Sequence, residues 1–241
     1  MIEKPKLEVS LSPALFHLFD IKDTVVVIID IFRATSTICA ALHNGAKQVI
    51  PIASEEECRS YAALHNPEYI TAGERSGKII EGLDYGNSPL EYAPEVIAGK
   101  TLVLTTTNGT KQLHLAKSAQ QIIIGSFLNL DVICEYLIQS NQKVLLACSA
   151  WKDRINLEDA LFAGAVVSKI QSHFQMTCDS AAMVSALYEQ SQKQTSLLEF
   201  LKHSSHYKRL SNFGLYEDLA YCTTMNLNPV LPIFDGKALH I

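Results

Sequence analysis

The sequence predicts an α/β fold with a mostly parallel sheet, flanked by helices in three α/β/α layers, and a helical C-terminal third. Short runs rich in valine and isoleucine alternate with longer stretches whose apolar residues recur at helical spacing. This alternation is typical of parallel strands joined by helices that cover both faces of a sheet. The chain has 241 residues, of which 48% are hydrophobic and 19% charged, and this composition excludes a disordered protein.

Five short apolar runs are predicted strands, at residues 25–29, 48–52, 102–104, 121–124 and 143–147. Segments with helical spacing follow them, at residues 35–42, 55–64, 110–116, 131–138 and 157–170. Beyond residue 172 the strand signals fade, and we expect helices at 179–188, 196–201 and 216–222 before an extended piece at 228–233. No flexible linker divides the chain, so we expect one domain over residues 1–241. Two βα subdomains remain the alternative, because residues 25–50 and 101–124 share one pattern of strand, Thr-rich turn, helix and strand.

Charge and composition exclude several functions. The formal net charge is −5 at pH 7, so no basic surface favours nucleic-acid binding. The longest apolar runs fall short of the roughly 18–20 residues of a membrane span, and the N-terminal residues lack the apolar core of a secretory signal. The six cysteines form no C-x-x-C pair. We therefore expect a cytoplasmic protein with reduced thiols and without nucleic-acid or membrane partners.

A first polar cluster, DIFRATST at residues 30–37, follows the first predicted strand. Ligands of parallel α/β sheets bind outside the carboxyl ends of the strands, which is where Asp30 is expected. Its carboxylate is suited to hold Mg²⁺ or to attack phosphorus, and Arg33 is suited to grip an oxyanion with two hydrogen bonds. Thr35, Ser36 and Thr37 offer hydroxyls and amides at a helix start. The alternative is an ordinary helix cap beside a surface ion pair.

A second cluster, residues 73–89, is dense in glycine, asparagine, aspartate and proline. Long loops inside compact domains are usually functional or disordered. Here Glu74 and Asp84 are candidate metal ligands, and Arg75 is a candidate anion clamp. Asn87 and Ser88, near its end, are candidate substrate contacts. An exposed, turn-rich loop without function has the same composition.

A third cluster follows the strand at residues 102–104 and resembles a phosphate cradle. Consecutive hydroxyls and a glycine before a helix offer backbone amides to an oxyanion. The spacing of a P-loop is absent. The candidate substrate contacts here are Thr106, Thr107, Asn108, Gly109 and Thr110. A threonine-rich helix cap is the alternative.

A fourth cluster begins at Cys148 and Ser149, both candidate substrate contacts. The spacing from Cys148 to Arg154 matches the C-x5-R loop of cysteine-dependent phosphatases. No histidine precedes the cysteine and no hydroxyl residue follows the arginine, so a packed thiol is favoured. Asp159 opens the next helix and is a candidate metal ligand, although the helix dipole alone favours acidic residues there.

These clusters together resemble the 2-phosphosulfolactate phosphatase family. The matching stretches run in order from DIFRATST through GER and GLDYGNSP, TTTNGT, GSFLN and the Cys148 turn to the segment around residue 180. The resemblance implies Mg²⁺-dependent hydrolysis of 2-phosphosulfolactate to sulfolactate and phosphate, on the route to coenzyme M. One departure is the sequence Ser149-Ala150-Trp151, where the family shows a glycine after a Cys-Ala pair, and we expect the tryptophan to alter the pocket.

The resulting hypothesis is a phosphatase acting on a small anionic phosphorylated acid. Mg²⁺ is held by carboxylates chosen from Asp30, Glu74, Asp84 and Asp159, and Arg33 and Arg75 bind anionic groups. The sequence leaves open whether Asp30 binds metal or forms an acyl-phosphate. A related enzyme for another phosphorylated acid and a phospho-ligand sensor are the rival functions. His203 and His206 are interpreted as part of a solvated helix face, with a position that reaches the site as the alternative. A homo-oligomer is expected from apolar helices in the last third.

Overall fold

One mixed sheet of eleven strands organises the residues that the computed structural model describes, which are 4–75, 78–106 and 109–241, with only the backbone of residues 109 and 110. The strands are β1 (Lys6–Ser10), β2 (Thr24–Ile29), β3 (Gln48–Ile52), β4 (Tyr69–Arg75), β5 (Lys78–Ile79), β6 (Thr101–Thr105), β7 (Gln121–Gly125), β8 (Lys143–Cys148), β9 (Gln175–Met176), β10 (Ile233–Phe234) and β11 (Leu239–His240). Their order across the sheet is β5-β4-β6-β3-β11-β10-β7-β2-β8-β1-β9.

The helices connect and cover these strands. They are α1 (Ala34–His43), α2 (Glu55–Ala62), α3 (Pro94–Ile97), α4 (Gly109–Leu115), α5 (Leu130–Ser140), α6 (Leu157–Ile170), α7 (Asp179–Ser191), α8 (Leu197–Leu201), α9 (Ser205–Ser211) and α10 (Tyr216–Cys222). Short 3₁₀ helices lie at Pro13–Leu18, Pro89–Glu91 and Phe127–Asn129. The last third is helical until the final hairpin, as the sequence predicts. Within the described ranges, no helix is long and apolar enough to cross a membrane.

The sheet consists of two parallel groups separated by an antiparallel hairpin, with the edge strand β5 pairing antiparallel with β4. Strands β4, β6 and β3 pair in parallel, and so do β7, β2, β8, β1 and β9. The hairpin β10–β11 pairs antiparallel with β7 on one side and β3 on the other. Three successive antiparallel pairings mean that the two groups run in opposite directions along the sheet. The predicted mostly parallel α/β sheet is confirmed, and the hairpin is an addition to it.

The two segments that share one sequence pattern, residues 25–50 and 101–124, occupy equivalent positions in the sheet. Residues 25–50 form β2, α1 and β3, and residues 101–124 form β6, α4 and β7. Each segment therefore begins in one parallel group and ends in the other, on opposite sides of the hairpin. The division of the chain into one domain or two subdomains stays a prediction.

Strand β2 shows why the protein has three layers. All six of its residues are buried, as expected for a strand covered on both faces. Val25, Val27 and Ile29 contact one hydrophobic cluster, which contains buried residues of α5, α6 and α7. Val26 and Ile28 contact a second cluster, which contains residues of α1 and α4. Alternate residues of a strand point to opposite faces, so the sheet lies between two helical layers.

Candidate active site

A cleft of about 340 Å³ opens where several strands end. Residues after β2 and β6, at the end of β4, and after β8 line it together with residues of α9. Both parallel groups of the sheet therefore contribute the segments at their carboxyl ends. The lining residues are Asp30, Phe32, Arg33, Glu74, Arg75, Asn87, Thr106, Trp151, Lys152, His206, Arg209, Leu210 and Phe213.

Two hydrogen bonds between the backbone of Asp30 and Thr35 hold Asp30 at the end of β2. Its N–H donates to Thr35 Oγ1 (3.1 Å), and its carbonyl accepts from the N–H of Thr35 (3.0 Å). The side chain is buried, yet its carboxylate makes no hydrogen bond or ion pair with the part of the chain that the structure describes. Desolvation raises the pKa of Asp30 from 3.8 to about 6, with His206 and Arg33 lowering it and Glu158 and Glu74 raising it. The cleft thus contains a carboxylate that is available to a ligand.

Glu158 and His206 form a pair beside Asp30. Glu158 Oε1 lies 2.5 Å from His206 Nδ1, and Glu158 is fully buried. Its other oxygen, Oε2, has no hydrogen-bond partner among the described residues. Phe32 contacts the His206 ring edge-on, with centroids 5.9 Å apart. A carboxylate on one ring nitrogen fixes the orientation of an imidazole and leaves the other nitrogen for a ligand.

Asp159 joins two loops of the site. Its Oδ1 accepts from the N–H of Ile31 (2.9 Å) and its Oδ2 accepts from the N–H of Ala150 (3.2 Å). Desolvation, followed by the charges of Glu158 and Asp30, raises the pKa of Asp159 well above its usual value, while the two amide bonds act in the opposite direction. Both oxygens therefore fix the segments after β2 and β8. Its predicted role as a metal ligand stays a prediction.

The two predicted arginines line the cleft and already have carboxylate partners. Arg33 Nη1 lies 2.6 Å from Asp218 Oδ2, and both side chains are buried. Asp218 also accepts a hydrogen bond from Ser88 Oγ (2.7 Å). Arg75 Nε lies 2.7 Å from Glu55 Oε1. Their positive charges are therefore largely offset within the protein.

The polar residues that the sequence predicts as substrate contacts divide into those that bind the protein's own backbone and those that line the cleft. Ser36 Oγ donates to the carbonyl of Ile31 (2.9 Å) and Thr37 Oγ1 to the carbonyl of Asn87 (3.1 Å), so with Thr35 they hold the chain's own backbone. None of these three side chains lines the cleft. Thr106 and Asn87 do line it.

Part of the Thr-rich turn, which holds the remaining predicted substrate contacts, lies outside the described residues. Thr107 and Asn108 lie outside the described residues, and only the backbone of Gly109 and Thr110 is described. The backbone of residues 109 and 110 begins helix α4, where the sequence predicts a helix start.

Asp84, Cys148 and Ser149 lie away from the cleft lining. Asp84 Oδ2 accepts from the N–H (2.8 Å) and the hydroxyl (2.7 Å) of Thr71, and the residue lines a separate depression. Burial raises the pKa of the Cys148 thiol well above its usual value, and the charges of Asp159 and Glu158 raise it further. Ser149 is buried with no partner for its hydroxyl among the described residues. The structure therefore places Cys148 as a packed thiol.

The segment after β8 forms a tight hairpin that places Trp151 in the cleft. Trp151 and Arg154 exchange backbone hydrogen bonds of 2.9 and 3.0 Å, and the two residues between them have φ angles of +51° and +60°. Positive φ at both central residues is the geometry of a type I′ turn. Arg209 Cζ lies 3.9 Å and Lys152 Nζ 4.7 Å from the centroid of the Trp151 ring.

Sequence reasoning missed the contribution of α9. The interpretation of His206 as part of a solvated helix face is wrong, because the residue is 7% exposed. His206 and Arg209 are three positions apart and therefore lie on one face of the helix, which is a signal that the sequence contains. Glu158, the carboxylate that contacts His206, is not among the residues that the sequence predicts for the site. Within the described ranges, no group of three or more histidine, cysteine, aspartate or glutamate side chains is arranged to hold a metal ion.

A family model described as 2-phosphosulpholactate phosphatase matches residues 10–237. The chain belongs to the 2-phosphosulpholactate phosphatase family. It is thus a phosphoric monoester hydrolase by family. Members of the 2-phosphosulpholactate phosphatase family with similar sequences include proteins from Thermotoga petrophila, Caldanaerobacter subterraneus subsp. tengcongensis and Clostridium acetobutylicum, each named a probable 2-phosphosulfolactate phosphatase.

These relatives match over nearly their whole length. The first is 43% identical over 206 residues, 86% of this chain and 87% of the relative. The second is 37% identical over 215 residues, 88% of each chain. The third is 33% identical over 222 residues, 91% of this chain and 93% of the relative. The match to the 2-phosphosulpholactate phosphatase family therefore includes all the segments that form the cleft.

Proposed function

We propose that this protein hydrolyses the phosphate ester of 2-phosphosulfolactate to sulfolactate and phosphate, with Mg²⁺ as cofactor. The observation that carries the proposal is Asp30, a buried carboxylate that lines the cleft and makes no hydrogen bond with the described residues. Burying a carboxylate without a partner is unfavourable unless a ligand compensates it. The names of the relatives supply the substrate.

The carboxylates of the cleft fit the way in which proteins bind Mg²⁺. This ion is usually held by one or two carboxylates together with substrate phosphate and water, rather than by a full protein cage. Asp30 and Glu74 would hold it, with the unpartnered Oε2 of Glu158 nearby in the same acidic cluster. When bound, the ion would neutralise phosphoryl charge and activate a water molecule. A site of this kind is compatible with the lack of a three-ligand cluster among the described residues.

The protein's own side chains would orient the ester and supply a proton. Hydrolysis forms a bond between a water oxygen and phosphorus and breaks the ester P–O bond, so the departing C2 oxygen requires a proton. His206 lines the cleft, and its Nδ1 faces Glu158, so the protonated imidazolium would donate that proton from Nε2. Asp159 holds the segments after β2 and β8 in place through its two amide bonds.

The pathway, the cellular location and the oligomeric state of the protein stay predictions. A place in coenzyme M biosynthesis depends on the substrate. A cytoplasmic location is in keeping with six free cysteines, since disulfides are rare in reducing compartments. A homo-oligomer is expected from the sequence.

Phosphate release from racemic 2-phosphosulfolactate, 2-phospholactate and 3-phosphoglycerate, with Mg²⁺ or with EDTA, tests the proposal. We expect 2-phosphosulfolactate to be hydrolysed fastest and EDTA to abolish turnover. Asp30→Asn should reduce turnover by roughly 10³-fold or more, while Asp84→Asn, which removes the same charge outside the cleft, should retain most of it. Faster turnover of another phospho-acid would change the substrate, and full activity in EDTA would remove the metal from the proposal.

A further inference from the structure

The cations of the cleft differ in how far their charge is offset. Of the described lining residues, four are cationic: Arg33, Arg75, Lys152 and Arg209. The first two pair with carboxylates, of Asp218 and Glu55 respectively. Lys152 and Arg209 form no ion pair with the part of the chain that the structure describes. Two positive charges in the cleft therefore remain for a ligand.

Both of these cations rest on the ring of Trp151. Arg209 Cζ lies 3.9 Å from the ring centroid and Lys152 Nζ 4.7 Å. A cation–π contact restricts the position of a long side chain without using its N–H donors. The guanidinium keeps all five N–H groups, in the fork geometry that binds oxyanions with two parallel hydrogen bonds. Trp151, Lys152 and Arg209, the cationic platform, thus form a preorganised anion receptor.

The cationic platform belongs to the same cleft as the proposed reaction site. Arg209 is on α9, three positions after His206, and its side chain is within electrostatic range of Glu158 and Glu74. Arginine stays protonated at physiological pH, so the charge is permanent. Asp30 and Glu74 line the same cleft, so a ligand bound there has both these carboxylates and the cationic platform around it.

We propose that the cationic platform binds the sulfonate of 2-phosphosulfolactate and thereby determines substrate specificity. This inference rests on the proposed function. The substrate carries one ester phosphate that reacts and a carboxylate and a sulfonate that do not. A sulfonate has three equivalent oxygens, which suits simultaneous contact with a guanidinium fork and an ammonium group, whereas a carboxylate has two.

The test compares Arg209→Gln with wild-type protein on three phosphate esters, measured as kcat/KM from phosphate release. The esters are 2-phosphosulfolactate, 2-phospholactate, which lacks the sulfonate, and 2-sulfoethyl phosphate, which lacks the carboxylate. We expect the variant to lose roughly 10- to 100-fold on both sulfonated esters, the range for a charge-assisted hydrogen bond, and to change little on 2-phospholactate. Lys208→Gln removes the same charge from an exposed neighbouring position on α9 that does not line the cleft, and should be neutral on all three.

Two further variants keep the test decisive. Lys152→Gln alters an exposed loop residue and should show the same selectivity for sulfonated esters even if Arg209→Gln folds poorly. Trp151→Ala should weaken the same discrimination by removing the support of both cations.

Equal losses on all three esters, or a loss restricted to the carboxylate-containing esters, would overturn the sulfonate assignment while leaving the phosphatase proposal intact. If wild-type protein hydrolyses 2-phospholactate but neither sulfonated ester, the proposed substrate itself fails.

Discussion

The carboxylate of Glu158 and the imidazole of His206 contact each other at 2.5 Å between α6 and α9, with Glu158 fully buried. This pair connects a helix of the central core to a short helix that lines the cleft. Burial has the largest effect on the pKa of Asp30, and after it His206 lowers and Glu158 raises that pKa, so the pair contributes to the electrostatic environment of the site. Its disruption should therefore affect both folding and catalysis.

Replacement of His206 by glutamine should destabilise the protein by about 3–5 kcal/mol, because it leaves a buried carboxylate without its partner. Urea unfolding followed by circular dichroism measures the loss. In the double variant with Glu158→Gln, neutral amides replace both groups, and most of the lost stability should return. Strictly additive effects in this double-mutant cycle would show that the two side chains do not interact.

Asp30→Asn should stabilise the protein at neutral pH while it removes activity. The pKa of Asp30 is about 6 in the folded protein and 3.8 as its ordinary value, so the folded state binds the proton more tightly than the unfolded chain. Stability is consequently lost as the pH rises from about 4 to 6, and the asparagine variant avoids a loss of about 3 kcal/mol above that range.

Urea unfolding of wild-type and Asp30→Asn protein at several pH values, in EDTA, measures this difference. It should be largest above pH 6 and disappear below pH 4, where both chains carry a neutral side chain. A difference that does not vary with pH would contradict the raised pKa. Asp84→Asn serves as the control for removal of a carboxylate elsewhere.

The sequence predicts the strand-end residues of the site better than the helix that covers them. Asp30, Arg33 and Thr106 follow predicted apolar runs. Glu74 and Arg75 are predicted in a loop, but they end strand β4, which the sequence does not predict. All five residues line one cleft. The strands themselves are identifiable because fully buried strands contain unbroken runs of valine and isoleucine. These features are local, so a single sequence is enough to find them.

The missed features depend on tertiary packing. Strands β10 and β11 have two residues each, too few to show the alternating pattern of a strand. The sequence therefore does not indicate the hairpin between the two parallel groups. Helix α9 has seven residues, and only its docking buries His206 and brings Arg209 onto Trp151. Similarly, the hydroxyls of residues 35–37 are visible in the sequence, but their use for backbone bonds is not.

Cys148→Ala should leave phosphate turnover within about twofold of the wild-type rate, because a fully buried thiol with a raised pKa supplies no thiolate. Loss of the sulfur atom from the core should lower the free energy of unfolding by about 1 kcal/mol. Phosphate-release kinetics and urea unfolding of the same preparation measure the two effects. Near-complete loss of turnover with the fold intact would instead support the cysteine-nucleophile mechanism of C-x5-R phosphatases.

Gly164→Ala should destabilise the protein although it increases helix propensity. Gly164 lies in α6 where α7 crosses closely, and a Cβ atom there would overlap with the carbonyl oxygen of Val184 and lie 2.9 Å from Tyr188 Cβ. Propensity alone predicts a gain of about 1 kcal/mol, whereas overpacking against backbone should cost about 1–3 kcal/mol or more. The sign of the change in urea unfolding therefore decides between the two. Since α6 also carries Glu158 and Asp159, an outward shift of this helix should lower activity in parallel with stability, and a stabilised, fully active variant would refute the close packing of α6 on α7.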